Sequence, residues 1–235
     1  MKPVLAFETS SPVLSIALST SGHSILEKTV NGFFNHAENL LPVTDQLLKN
    51  KKTSLAAVKT LLIGRGPGSF TGLRVGYATL KGFTALAKKN CYGALSLDLI
   101  AENISLPEGS HLCVCLGANR EKVYSRLYRR VKEKWKPLHK PSVIAFQDWI
   151  DHLPAGTSLV GDAAHHYRAQ IEAAPKKGLR ILPEKSGMPK ASTLIRLYKK
   201  APQKLQKLKT PKDFLPLYFR LSEAEEKRKS HVHSR

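Results

Sequence analysis

No stretch of this sequence reaches eighteen consecutive apolar residues, so no membrane-spanning helix is expected. The opening Met1–Glu8 meets an acid too early for the apolar core of a signal peptide, which sets the expectation of a cytoplasmic protein. Cysteines are few: Cys91, Cys113 and Cys115 are odd in number, lack metal-ligand spacing and fit a reduced compartment. Cys113 and Cys115 alternate in a strand pattern and should face one side as small core residues. No histidine stands four residues after His36, where Leu40 lies instead, so no helical His pair is available for a metal. Glycine is missing from the first turn, Glu8-Thr9-Ser10-Ser11. The Gly-Lys-Ser/Thr end of a P-loop is missing as well. Acids are the scarcest feature, 18 against 38 Lys and Arg, for a formal charge of +20. Such a field attracts polyanions, RNA first among them; a solvated basic surface is the plainer reading.

What is present is centred on Gly64-Arg65-Gly66-Pro67-Gly68-Ser69-Phe70-Thr71-Gly72-Leu73-Arg74-Val75-Gly76. An apolar strand pattern (Thr60–Ile63) precedes this stretch and a helical pattern, Ser69–Lys88, follows it. Gly66, Pro67 and Gly68 spell a tight turn, and Ser69 is placed to cap the helix, whose free N–H groups would favour an anion. Gly72 and Gly76 share one helix face at about 1 kcal/mol each relative to alanine. That cost calls for another backbone at very close range. Arg74 sits where the helix dipole disfavours a cation, so a carboxylate or a bound anion is expected beside it.

The remaining pattern reads as α/β. Strands are expected at 4–8, 13–19 and 24–30, with a hairpin turn at Ser21-Gly22-His23. A helix at Phe33–Lys49 carries the stripe Phe33, Ala37, Leu40, Leu41, Thr44, Leu47 and Leu48, with a kink at Pro42. A strand at 92–95 and a short helix at 97–104 close a first unit, residues 1–105. The second unit, 106–222, again runs strands first and helices later. Its strands are expected at 111–116, 123–131, 135–144 and 157–160, and its helices at 163–173 and 191–200. A second basic run, Arg120–Lys140, falls on the hairpin strands. The charged tail 223–235 is expected to be disordered.

Several stretches, in order and spacing, resemble the TsaB (YeaZ) family of tRNA threonylcarbamoyladenosine biosynthesis subunits. They are Ala6–Ser10, His36–Pro42, Gly64–Gly76, Arg120–Tyr124, Gly161-Asp162, Pro189–Ala191 and Pro216–Arg220. The resemblance implies an actin-like ATPase fold (ASKHA, ribonuclease H-like) of two similar α/β lobes. It also implies a non-catalytic paralogue that pairs with the catalytic TsaD and with the ATPase TsaE, and forms a homodimer when alone. In that scheme another enzyme makes threonylcarbamoyl-adenylate, TsaD transfers the acyl group to tRNA, and this chain holds TsaD in a competent arrangement.

The pairing surface would comprise His36, Leu40, Leu41, Leu47, Ser69, Phe70, Thr71, Gly72, Arg74 and Gly76, the glycines letting helices of two chains approach. Lys199, Lys200, Lys204 and Lys207 are the candidate contacts to tRNA, which is bound through the complex. No catalytic residue, metal or cofactor of its own is expected, and ATP is used by the complex. The sequence departs from the family pattern at Glu8, where Asp is usual, at Gly117, where Asp would be expected, and at Asn119, where Arg would be. These departures argue against autonomous ATP hydrolysis. The rival readings are a stand-alone ATPase or kinase of the same fold, a peptidase, and a basic RNA-binding protein.

Overall fold

The computed structural model describes residues 2–20, 24–32, 35–118, 121–174 and 178–217. The expected hairpin at 21–23, the helix start at Phe33, Asn119, Arg120 and the tail 223–235 lie outside them. Alternating and continuous apolar runs form β1 (Val4–Glu8), β2 (Val13–Ser19) and β3 (Ile25–Asn31), an antiparallel meander with Glu8 opposite Ser15. Then follow α1 (His36–Asn50), β4 (Thr60–Gly64), α2 (Phe70–Leu86), β5 (Asn90–Ala94) and the short α3 (Ser96–Ala101). β4 runs parallel to β1, with Val4 opposite Thr60, and β5 runs parallel to β4. β1 and β4 are buried throughout and apolar except for Glu8 and Thr60, in keeping with strands covered on both faces.

The second lobe repeats the plan. Its strands β6 (His111–Gly117), β7 (Lys122–Val131), β8 (Lys134–Pro137) and β9 (Ser142–Ala145) are followed by α4 (Phe146–Asp151) and β10 (Ser158–Val160). α5 (Asp162–His166), α6 (Arg168–Glu172) and β11 (Arg180–Ile181) complete it. One sheet reads β3-β2-β1-β4-β5 and the other β8-β7-β6-β10-β11, the same order, so the duplication expected from the element pattern is present. The strand expected at 135–144 is two strands, because Pro137 and Pro141 cannot donate to a ladder. The helix expected at 163–173 is likewise two, interrupted at Tyr167.

The chain does not stay with the second sheet to its end. α7 (Ala191–Lys200) and β12 (Gln206–Lys207) return to the first, where β12 extends the sheet antiparallel to β5. Leu194 and Ile195 of α7 pack with Val4, Ala6 and Leu62 on one face of that sheet. On the opposite face Leu40, Leu47, Tyr77 and Leu80 of α1 and α2 pack with Leu5, Phe7 and Ile16. α1 runs unbroken through Pro42. Cys113 and Cys115 do face one side of β6, fully buried. No helix among the described residues is long and apolar enough to cross a membrane.

Candidate functional site

The Gly-rich stretch lies across the first turn of the chain and is bonded to it. The Ser69 amide donates to the Ser10 carbonyl (2.6 Å), and the Gly72 amide donates to Ser69 Oγ (3.1 Å). Ser69 caps the helix as expected, and these two donors are used inside the chain. A Cβ on Gly72 would lie 2.1 Å from the Thr9 carbonyl oxygen, and one on Gly76 2.5 Å from Thr9 Oγ1. Within the chain, Gly72 thus meets the Thr9 backbone and Gly76 the Thr9 side chain, and both glycines are buried. Within the chain, the partner of both glycines is Thr9.

Beneath this turn sits Glu8, with no exposed surface. Its Oε1 accepts from the Ser10 amide (2.8 Å) and its Oε2 from Ser96 Oγ (3.2 Å). Gly64 leaves it room, since a Cβ there would fall 1.7 Å from Oε2. Burial raises the carboxyl above its ordinary value, against the pull of the Ser10 and Ser96 hydrogen bonds. Thr9 Oγ1, Ser10 Oγ, Arg65 Nε and the Tyr77 hydroxyl are also buried, without a hydrogen-bond partner among the described residues. Each such group costs about 1–3 kcal/mol. Arg65 reaches β12 through a hydrogen bond to Gln206 Oε1, tying the returning C-terminal segment to the Gly-rich stretch.

The expected pairing residues divide by exposure. Leu40 and Leu47 are core residues, and His36 is buried with Nε2 3.0 Å from the Ser11 carbonyl oxygen. Burial also lowers the His36 imidazole below its ordinary value. These three are corrected as surface residues: they build the helix pair from inside. Leu41 (54% exposed), Ser69, Thr71 and Arg74 do face solvent, with Phe70 half-buried. The Arg74 guanidinium lies over the Phe70 ring, 4.0 Å from its centroid, and among the described residues it has no ion pair. A ring therefore takes the place of the expected carboxylate. Ala78 and Gly82 continue this exposed flank of α2.

The four lysines lie on α7, on the segment after it and on β12. Lys199 donates to Ser19 Oγ (2.7 Å), and Lys204 pairs with Glu102. Lys207 sits 6.0 Å from the Tyr92 ring centroid, and Lys200 is exposed. Lys199 and Lys204 thus serve contacts within the chain. In the second lobe the Gly117 amide donates to Asp162 Oδ1 (3.1 Å) at the edge of a cleft of about 650 Å³ lined also by His166, Tyr167 and Gln170. Burial pushes the Asp162 carboxyl up while the Gly117 amide pulls it back. Among the described residues no group of three or more His, Cys, Asp or Glu side chains is placed to hold a metal ion.

Residues 33–227 match the family model described as "TsaD: tRNA N6-adenosine threonylcarbamoyltransferase". The relatives decide the branch. The TsaB protein of Escherichia coli K12 is 29% identical over 153 residues, 60% of this chain and 64% of that protein. The TsaB protein of Haemophilus influenzae is 33% identical over 125 residues, 52% of this chain and 51% of that protein. The chain belongs to this family, in its TsaB (YeaZ) branch. These matches span roughly half to just under two thirds of the relatives' length. The solved YeaZ of Pseudomonas aeruginosa has the same fold, with a TM-score of 0.75 at 23% identity over 93% of this chain and 100% of that one. The fold is therefore the two-lobed α/β fold of YeaZ, as the TsaB (YeaZ) resemblance implied.

Proposed function

We propose that this chain is the non-catalytic scaffold subunit in the formation of N6-threonylcarbamoyladenosine in tRNA, pairing with a TsaD protein through the exposed flank of α1 and α2. The carrying observation is the closed first turn. Thr9 and Ser10 turn their carbonyls to α2, and Glu8 spends its carboxylate on Ser10 and Ser96 in the interior. A group so placed cannot reach a metal-bound nucleotide between the lobes. The flank beside it carries Leu41, Thr71, Arg74 and Ala78 in solvent, with large and small side chains mixed as pairing requires. Curated relatives named for tRNA threonylcarbamoyladenosine biosynthesis support a role in that pathway.

In this reading TsaE docks on the pair, ATP is consumed by the complex, tRNA is bound by the assembly, and the free chain is a homodimer in the cytoplasm through the same flank. Size exclusion with light scattering, on the chain alone and mixed with the TsaD of its own organism, tests it. A homodimer that converts to a one-to-one complex, with both lost on Arg74→Glu plus Ala78→Glu, is the expected result. Failure to pair at any salt concentration overturns it. A stand-alone ATPase is disfavoured by the closed turn, and phosphate release by the purified chain would reinstate it.

A further inference from the structure

The β7–β8 hairpin and its neighbour β6 carry a row of basic side chains that form no ion pair among the described residues. His111, Arg129 and Lys136 are directly opposite one another across β6, β7 and β8, and Lys134 is opposite Val131 two residues along. Residues paired across strands, and residues two apart along one, share a face, so these four side chains stand on one side of the sheet. Their spacing is about 5 Å across strands and about 7 Å along a strand. Arg129, Lys134 and Lys136 are exposed, and among the described residues none of the four pairs with a carboxylate. Like charges placed directly opposite each other destabilise a sheet.

The other face of the hairpin is handled differently. Arg126 is bonded to both oxygens of Asp98 (2.7 and 2.9 Å), and Arg130 lies over the Trp135 ring, 5.2 Å from its centroid. Two acids lie close to this row: Glu108 turns its carboxylate to the backbone amides of Lys132 (2.9 Å) and Glu133 (3.5 Å), and Glu133, exposed beside Lys134 at the hairpin tip, forms no ion pair among the described residues. Among the described residues the arginines of this face are matched, and the basic side chains of the other face form no ion pair at this edge of the sheet.

We propose that this outward face is a contact surface for the phosphate backbone of RNA, centred on Arg129, Lys134 and Lys136 and separate from the lysines of α7 and β12. The inference rests on the reading that the chain works on tRNA. Lysines on an edge strand also deter strand pairing, but that role asks only for charge, whereas phosphate contact asks for positive charge. The row carries no hydrogen-bonding code for bases, so it positions RNA without reading sequence.

The test is tRNA binding by the full chain, followed by fluorescence anisotropy over a salt series. The triple variant Arg129→Gln, Lys134→Gln, Lys136→Gln should lower the slope of log affinity against log salt by about 2–3, at roughly 0.7–0.9 per phosphate contact. Arg129→Lys with Lys134→Arg and Lys136→Arg should restore it. A slope equal to that of the wild type, or a wild-type chain that binds no tRNA, overturns the proposal. Co-elution with TsaD is measured on the same proteins: its loss in the wild type strikes the scaffold reading, whereas a change of slope with co-elution intact bears on the hairpin alone.

Discussion

Thr9 and Gly72 meet so closely that a single added carbon on Gly72 would lie 2.1 Å from the Thr9 carbonyl oxygen. That contact locks α2 over the first turn and fixes the angle at which the exposed flank is presented. Gly72→Ala must move backbone rather than the end of a flexible side chain, so overpacking of about 1–3 kcal/mol should outweigh the gain in helix propensity of about 1 kcal/mol. Thermal unfolding of the variant should show a net destabilisation. An unchanged or raised midpoint would show that the turn yields easily.

Glu8 gives a pH dependence whose sign is fixed by its environment. Burial raises its carboxyl above the value it has in the unfolded chain. Between those two values the folded state holds the proton more tightly, so stability is fully present below the unfolded value and is lost as pH rises through the folded one. Glu8→Gln removes the ionisation and keeps the shape, and its amide can donate to Ser96 Oγ while its oxygen accepts from the Ser10 amide. The variant should therefore be more stable than the wild type at neutral pH, with a flatter stability profile on the acid side. Urea midpoints from pH 4 to 8 measure both. A destabilised variant at neutral pH would mean that the ionised carboxylate is itself needed.

The Gly-rich stretch is conspicuous in the sequence, whereas Thr9, its neighbour within the chain, is not. Gly72 and Gly76 are conspicuous because a helix rarely carries two glycines on one face, and a close contact was required. Thr9 supplies that contact from some sixty residues away, and no local pattern records it. The same limit explains α7 and β12. The apolar stripe of α7 predicts burial of Leu194 and Ile195 without naming the sheet, and Gln206-Lys207 is too short and too polar to read as a strand. The duplicated strand order was legible because each lobe repeats the same alternation and turn signals. The basic run 120–140 was visible as charge, while the sorting of its matched and unmatched faces needed the register.

Asp98 joins the lobes. It sits on α3, after the first sheet, and binds Arg126 and the Tyr128 hydroxyl (2.6 Å) on β7. Tyr128 is buried, and both burial and the Asp98 charge hold its hydroxyl well above its ordinary value, so it remains a donor. Asp98→Ala strands that hydroxyl and leaves the half-buried guanidinium without its carboxylate. A loss of about 2–4 kcal/mol is expected. Asp98→Asn, which keeps an acceptor for Tyr128, should lose less. Equal losses in chemical denaturation would assign the whole effect to the ion pair.

Leu40 and Leu41 are neighbours on α1 with opposite fates, 1% and 54% exposed, and they separate stability from pairing. Leu40 packs among Leu5, Phe7 and Ile16, so Leu40→Ala should cost about 2–5 kcal/mol through lost burial and the cavity left behind. Leu41→Glu adds a charge where water already reaches and should change stability by no more than about 0.5 kcal/mol. On the proposed flank, however, it buries an unpaired carboxylate in any complex, and affinity for TsaD should fall at least a hundredfold, about 2.7 kcal/mol. Calorimetric titration with TsaD, set beside the unfolding curves of both variants, reads the two effects separately. If Leu41→Glu binds as the wild type does, the pairing surface lies elsewhere and the flank of α1 and α2 is ordinary solvent-facing helix.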